Sequence, residues 1–206
     1  MTPSLRVKIC GITNRDDALV AIDAGADALG FNLFPGSKRR VRIEEVAPWL
    51  PALGPDVVRV AVMVNPAAEE IAAARPLFDV LQLHGQETPE VCAEAAIAGL
   101  VWKAFPLADG LDATPYPADA ILIDSSVPGA FGGTGALIDL DRAALFVRAS
   151  LRPVWLSGGL SPDNVFAAVA KVRPHGVDVA SGVEFPGNPR RKDPARVRAF
   201  VAAARR

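Results

Sequence analysis

The stretch Leu5-Arg6-Val7-Lys8-Ile9-Cys10-Gly11-Ile12-Thr13-Asn14 sets the reading of everything after it. Leu5, Val7 and Ile9 alternate with Arg6, Lys8 and Cys10 in the two-residue period of a strand, so one face is aliphatic and the other carries a cation and a thiol. Gly11 ends the strand. Thr13 or Asn14 can cap a helix running through Ala24, whose Ala18, Leu19, Ala21 and Ile22 suit burial on one side. The stretch is therefore half of a strand-helix-strand unit, with a thiol at the carboxyl end of its strand.

Short aliphatic runs that give way to helical spacing begin near Leu5, Ala28, Val57, Phe78, Leu100, Ala120, Pro153 and Gly176. Most are separated by enough chain for a crossover helix, as at Pro66 to Arg75, Pro89 to Ala98, Asp141 to Ser150 and Pro162 to Lys171, which makes the strands parallel. The fifth helix is the weak one, because Gly110, Pro115 and Pro117 leave it little room. Alternating strands and helices permit an open doubly wound sheet or a closed barrel. Eight units within 206 residues fit a compact α/β fold, a single-domain (β/α)8 barrel over residues 1–206. Alternation also turns Lys8, Cys10, Gln82, His84 and Asp178 inward, where charge needs a partner; closure makes strands one and eight neighbours, so Lys8 and Asp178 can pair across the seam.

Half of the residues are hydrophobic and only 6% aromatic, which points to a large aliphatic core. Lys and Arg number 22 against 23 acidic residues, and a net charge of −1 gives no electrostatic reason to propose nucleic acid or an anionic membrane as partner. No apolar run reaches the roughly 18 residues of a membrane span and no leader-like segment opens the chain, so a cytoplasmic protein is expected. Cys10 and Cys92 lie far apart with no paired-spacing motif, which indicates neither a disulfide framework nor a metal site. Cys92, on the apolar stretch Val91 to Ile97, reads as a small buried hydrophobe. Arg190-Arg191-Lys192, followed by Asp193, reads as solvated loop. His175 precedes strand eight at the end of the barrel away from Cys10.

Three glycine-bearing turns follow late strands: Gly132-Gly133-Thr134-Gly135, Ser157-Gly158-Gly159 and Ser181-Gly182. Their N–H groups can approach an anion closely, and barrels of this type commonly hold phosphate with the loops after strands seven and eight, so the C-terminal half is expected to bind phosphate. The connection Ser125 to Gly135 is long and glycine-rich, and reads as a lid over the site.

In order and spacing, the segments KICGIT at Lys8, GADALGF at Gly25, SKRRV at Ser37, VMVN at Val62, LQLHG at Leu81, LIDS at Leu122, GGTG at Gly132, LSGGL at Leu156 and VDVASGVE at Val177 resemble the phosphoribosylanthranilate isomerases of tryptophan biosynthesis over nearly the whole chain. Departures are small, such as Asn32-Leu33 before Phe34-Pro35, and Arg40 where that family often has an aromatic residue. The resemblance implies an Amadori rearrangement of N-(5-phosphoribosyl)anthranilate to 1-(2-carboxyphenylamino)-1-deoxyribulose 5-phosphate, with no cofactor. It implies Cys10 as base, Asp124 as acid and Arg39 as binder of the anthranilate carboxylate, a contact that Arg40 could also make. Phosphate would fall to Gly133, Gly158, Gly159, Ser181 and Gly182, with Lys8, Gln82, His84 and Asp178 in support. The partner is a small sugar phosphate carrying anthranilate, bound by a monomer or weak homodimer.

Elementary chemistry attaches conditions to these roles. A thiol with a pKa near 8.5 is only a few per cent ionised at pH 7, so Cys10 gains from the Lys8 cation two residues back. Asp124 closes the apolar run Ala120 to Ile123, where a raised pKa is expected. Asp178 reads as a paired structural carboxylate, and His84 as a supporting rather than a catalytic side chain. A metal-dependent ribulose-phosphate epimerase would need several histidine and aspartate ligands at the mouth, where His84 is the one histidine. An indole-glycerol-phosphate synthase works with lysine and glutamate, and a catalytically idle sugar-phosphate binder has no need of the thiol.

Overall fold

The computed structural model describes residues 5–125 and 137–206, and in it the eight aliphatic runs are eight parallel strands closed in sequence order. They are β1 Arg6–Cys10, β2 Ala28–Asn32, β3 Val58–Met63, β4 Val80–Leu83, β5 Leu100–Pro106, β6 Ala120–Asp124, β7 Val154–Leu156 and β8 Gly176–Val179. The helices are α1 Arg15–Asp23, α2 Ile43–Val46, α3 Ala68–Ala74, α4 Pro89–Ala96, α5 Leu140–Ala149, α6 Val165–Val172 and α7 Pro194–Ala204. Asn14 is the cap of α1, its side-chain oxygen accepting from the Asp17 N–H at 2.9 Å.

Strand alternation sorts the apolar residues into two layers. Outward positions such as Val7, Ile9, Leu29, Phe31, Leu81 and Ile121 meet the helices in one continuous core. Inward positions Val60, Val62, Val80, Leu122, Trp102 and Trp155 fill the barrel itself, with the two indoles 4.7 Å apart between ring centroids. Closure rests on β1 pairing with both β2 and β8, which sets Lys8 opposite Asp178. The Lys8 Nζ donates to Asp178 Oδ1 at 2.9 Å, and Lys8 is fully buried. The seam pair expected from alternation is thus made.

Two sequence expectations are corrected. Between β5 and β6 there is no helix: residues 107–119 form turns, as Gly110, Pro115 and Pro117 foreshadow. Arg152 clasps that segment instead, its guanidinium donating to the carbonyls of Ala113, Tyr116 and Ala118. The second correction concerns Arg190-Arg191-Lys192, which is not solvated loop. It lies in an antiparallel hairpin of β9 Glu184–Phe185 and β10 Asn188–Lys192, turned at Pro186-Gly187. Lys192 is 1% exposed because its Nζ is drawn inward by Glu184 at 2.9 Å and the Ala180 carbonyl at 3.1 Å. Among the described residues no helix is long and apolar enough to cross a membrane.

Replacing one member of a buried ion pair strands the other charge. Lys8→Met should therefore lower unfolding free energy by roughly 3–5 kcal/mol in urea titration. The double variant Lys8→Met/Asp178→Leu should recover most of that loss. A single variant as stable as the parent would show that the pair contributes nothing to closure.

Candidate active site

Cys10 ends β1 and Asp124 ends β6, so both stand at the carboxyl mouth of the barrel, where they line one cavity of about 860 Å³. Gln82, His84, Ser157, Asp178, Ser181 and Arg39 line it too. A narrower recess beside it is walled by Asp124, Ser125, Gly158, Gly159 and Ser181. Gly158 has a φ of +93°, and a Cβ there would come within 2.5 Å of the Ser125 amide nitrogen, so only glycine lets the turn after β7 approach the end of β6 this closely. Lys8 lies below the cavity, outside its lining. Gly182 sits in the short 3₁₀ turn Ser181–Val183, its carbonyl accepting from Arg196 Nε at 3.0 Å, behind rather than on the cavity wall. Gly133 and nearly all of the segment expected to be a lid, at 126–136, lie outside the described residues.

Both candidate proton-transfer groups have their pKa raised by burial. Burial, reinforced by the Asp178 charge, raises Asp124 to about 6, with bonds from Ser125 opposing. Burial also lifts the Cys10 thiol above its ordinary value, and Lys8, the largest opposing influence, does not reverse this. The expected activation by Lys8 is therefore incomplete: its ammonium is bonded to Asp178, whose own negative charge works against the thiolate. Gly30 stands opposite Cys10 across the β1–β2 pair, and a Cβ there would lie 2.7 Å from the sulfur, so glycine keeps room for the thiol.

His84 and Gln82 form a short chain toward Asp124. The Gln82 Nε2 amide faces His84 Nδ1 at 3.1 Å, and His84 Nε2 stands 3.6 Å from Asp124 Oδ2. Burial, with Lys8 and Lys103 adding to it, drops the imidazole to about 3, so it is neutral across the working range.

Arg39 is not the open fork that sequence suggests. Its Nε and Nη2 donate to the two oxygens of Glu184 at 2.6 and 2.9 Å, and Glu184 also takes Lys192 at 2.9 Å. Burial opposes the charged guanidinium, but Glu184 outweighs it and the pKa is raised. This Arg39–Glu184–Lys192 cluster ties the loop after β2 to the hairpin and escaped the sequence reading, although the Pro186-Gly187 turn signalled a hairpin. Arg40 is exposed, and its backbone carbonyl accepts from Arg190 at 2.7 Å. A second unforeseen charge, Lys103, is 1% exposed, pairs with Glu87 at 3.0 Å and donates to the Gly85 carbonyl at 2.9 Å, bracing the loop after β4.

A closed parallel barrel with a thiol, a carboxyl of raised pKa and anchored cations at its carboxyl mouth is the architecture of a (β/α)8-barrel enzyme. Residues 7–203 match the family model described as N-(5′-phosphoribosyl)anthranilate (PRA) isomerase. The isomerase of Geobacter sulfurreducens is 45% identical over 206 residues, covering 98% of each chain. The phosphoribosyl anthranilate isomerase structure from Thermus thermophilus is 40% identical with a TM-score of 0.85, covering 97% of this chain and 98% of that one. Another phosphoribosyl anthranilate isomerase, 36% identical with a TM-score of 0.83 and the same coverage, was solved with reduced 1-(o-carboxyphenylamino)-1-deoxyribulose 5-phosphate. The chain belongs to the N-(5′-phosphoribosyl)anthranilate isomerase family, and is an isomerase of tryptophan biosynthesis.

Alkylation tests the state of the thiol, since only the thiolate is nucleophilic. With Cys10 raised by burial, its iodoacetamide rate should still climb close to tenfold per pH unit at pH 8.5, while the buried Cys92, raised to about 11, stays unmodified. A Cys10 rate that levels off below pH 8 would mean that Lys8 does activate the resting thiol.

Proposed function

We propose that Cys10 and Asp124 are the base and the acid of the rearrangement of N-(5-phosphoribosyl)anthranilate to 1-(2-carboxyphenylamino)-1-deoxyribulose 5-phosphate. The observation that carries this reading is their placement at two strand ends on one cavity, with the carboxyl raised to about 6. Asp124 O–H gives its proton to the furanose ring oxygen as the C1′–O bond breaks and the anilino nitrogen lone pair forms the C=N bond. Cys10 thiolate then takes the C2′ proton, and the C2′–H electrons move into a C1′=C2′ bond, giving an enolamine that tautomerises to the ketone. No redox partner is needed, because C1′ is reduced by the electrons that C2′ gives up.

The relative solved with the reduced product analogue supports the same ligand class for this cavity. The phosphate is assigned to amides of Gly158, Gly159 and Ser181 with Gly182 behind them, and the anthranilate carboxylate to the Nη1 edge of Arg39, the edge that Glu184 leaves free of hydrogen bonds among the described residues. The direct test follows the fluorescence of phosphoribosylanthranilate generated in situ; decay at the spontaneous rate in the presence of the protein would sink the reading.

Cys10→Ser keeps the shape but weakens the base, and should lower kcat roughly a hundredfold or more with KM little changed. The pH profile is a sharper test. The productive state pairs a protonated Asp124 with a Cys10 thiolate, and this is the minor state at neutral pH because the acid lies near 6 and the thiol above its ordinary range. Each pH unit gained removes tenfold of the protonated acid and adds tenfold of the thiolate, so kcat/KM should be flat from about pH 6 to beyond about 8.5 and fall on either side. In Asp124→Asn the first factor disappears, and the reduced activity should instead climb tenfold per unit across that range. A flat profile in this variant would remove Asp124 from the acid role.

Gly159→Asp puts a carboxylate where the phosphate is assigned, and should raise KM and weaken inhibition by inorganic phosphate while thermal unfolding stays close to the parent. Unchanged KM in the folded variant would place the phosphate elsewhere.

A further inference from the structure

Three buried side-chain polar atoms among the described residues have no hydrogen-bond partner, and two of them, Gln82 Oε1 and His84 Nε2, belong to adjacent inward positions at the end of β4. Both side chains line the cavity, and Gln82 is only 1% exposed. Buried polar atoms are ordinarily satisfied, so a pair left open at a site calls for a partner that arrives with the reaction. The Gln82 Nε2 amide can only donate, so its contact with His84 Nδ1 puts the ring proton on Nε2, which stands 3.6 Å from Asp124 Oδ2. The gap is a few tenths of an ångström beyond a hydrogen bond, the looseness common at catalytic contacts before substrate binds.

We propose that His84 is a positioning residue for Asp124, its Nε2–H holding one carboxyl oxygen while the other delivers the proton to the ring oxygen, and that Gln82 fixes the ring proton on Nε2. The proposal rests on Asp124 being the acid. When the Asp124 O–H bond breaks and the ring O–H bond forms, the new carboxylate accepts from His84 more strongly than the acid did, so the contact tightens as charge develops. The imidazole neither gains nor loses a proton. Among the described residues the groups facing Asp124 are Asp178 of β8, Lys8 of β1, His84 after β4 and Ser125 beside it, and among these His84 combines a donor with an unmet bond.

His84→Met removes the donor and His84→Gln returns an N–H close to the Nε2 position. The Met variant should lose roughly tenfold to a hundredfold in kcat with KM within about twofold, the scale of a misplaced catalytic group. Its low-pH limb of kcat/KM should move to higher pH, because a donor to the carboxylate has gone and the protonated acid is favoured. The Gln variant should recover most of both effects. Gln82→Met, which leaves His84 in place, should show the same signature at smaller amplitude. In an Asp124→Asn background, His84→Met should add no further loss. Parental kcat in His84→Met, equal defects in Met and Gln with an unmoved pH limb, or full additivity with Asp124→Asn would each overturn the proposal. Parental activity in Asp124→Asn alone would overturn the acid assignment and this inference with it.

Discussion

Lys8 meets Asp178 where the first strand returns to the eighth, and the chemistry of the mouth is set around that contact. A sheet that closes must place its first and last strands side by side, and here the register pairs a cation with an anion in the filled interior. Burial alone would discharge the ammonium, but Asp178 and then Cys10 keep it charged and its pKa raised. Ser157, just after β7, adds a bond to the second Asp178 oxygen at 3.3 Å. The same Asp178 charge then adds to burial at two neighbours at once, raising both Asp124 and Cys10 further. One structural pair thus closes the barrel and sets opposing charges beside Asp124, its anion raising the carboxyl and its cation lowering it.

The remaining buried cations are used to fasten loops. Lys103 binds Glu87 and the carbonyls around the turn after β4, and Glu87 in turn accepts from the Asn65 and Gly85 amides, locking the loops of β3 and β4 together. On the other side Glu184 gathers Arg39 and Lys192, and the Lys192 amide donates to Asp17 of α1. Such pairs contribute little net stability against apolar replacements, and their use is in geometry. They hold the walls of the cavity so that its polar groups need not be reorganised during turnover.

Strand order, closure, the seam pair and the inward positions of Cys10, Gln82 and Asp178 were legible because each follows from two-residue alternation and the βα repeat. Asp124 was legible as the polar end of an apolar strand. Lys103 and Lys192 were not, because a lysine inside an amphiphilic stretch reads as surface until its partner is known, and Glu87 in a loop and Glu184 in a two-residue hairpin strand lie where periodicity does not fix the course of the chain. The hold of Glu184 on Arg39 was hidden for the same reason: 145 residues separate them. The motif pointed to an open fork, whereas the fold shows a braced one.

The stretch between β5 and β6 is clasped by two guanidiniums, Arg152 on its carbonyls and Arg142 on Asp109, where a helix would ordinarily pack. Gly110 in that stretch is exposed and has nothing within 4 Å of where a side chain would begin. Extra residues spliced in there would meet no core and would add only the slowly growing entropy of a longer loop. That sector is the barrel's natural splice point, a place on the rim where the chain can acquire a new segment, or a whole appended module, beside the residues that line the cavity and not among them.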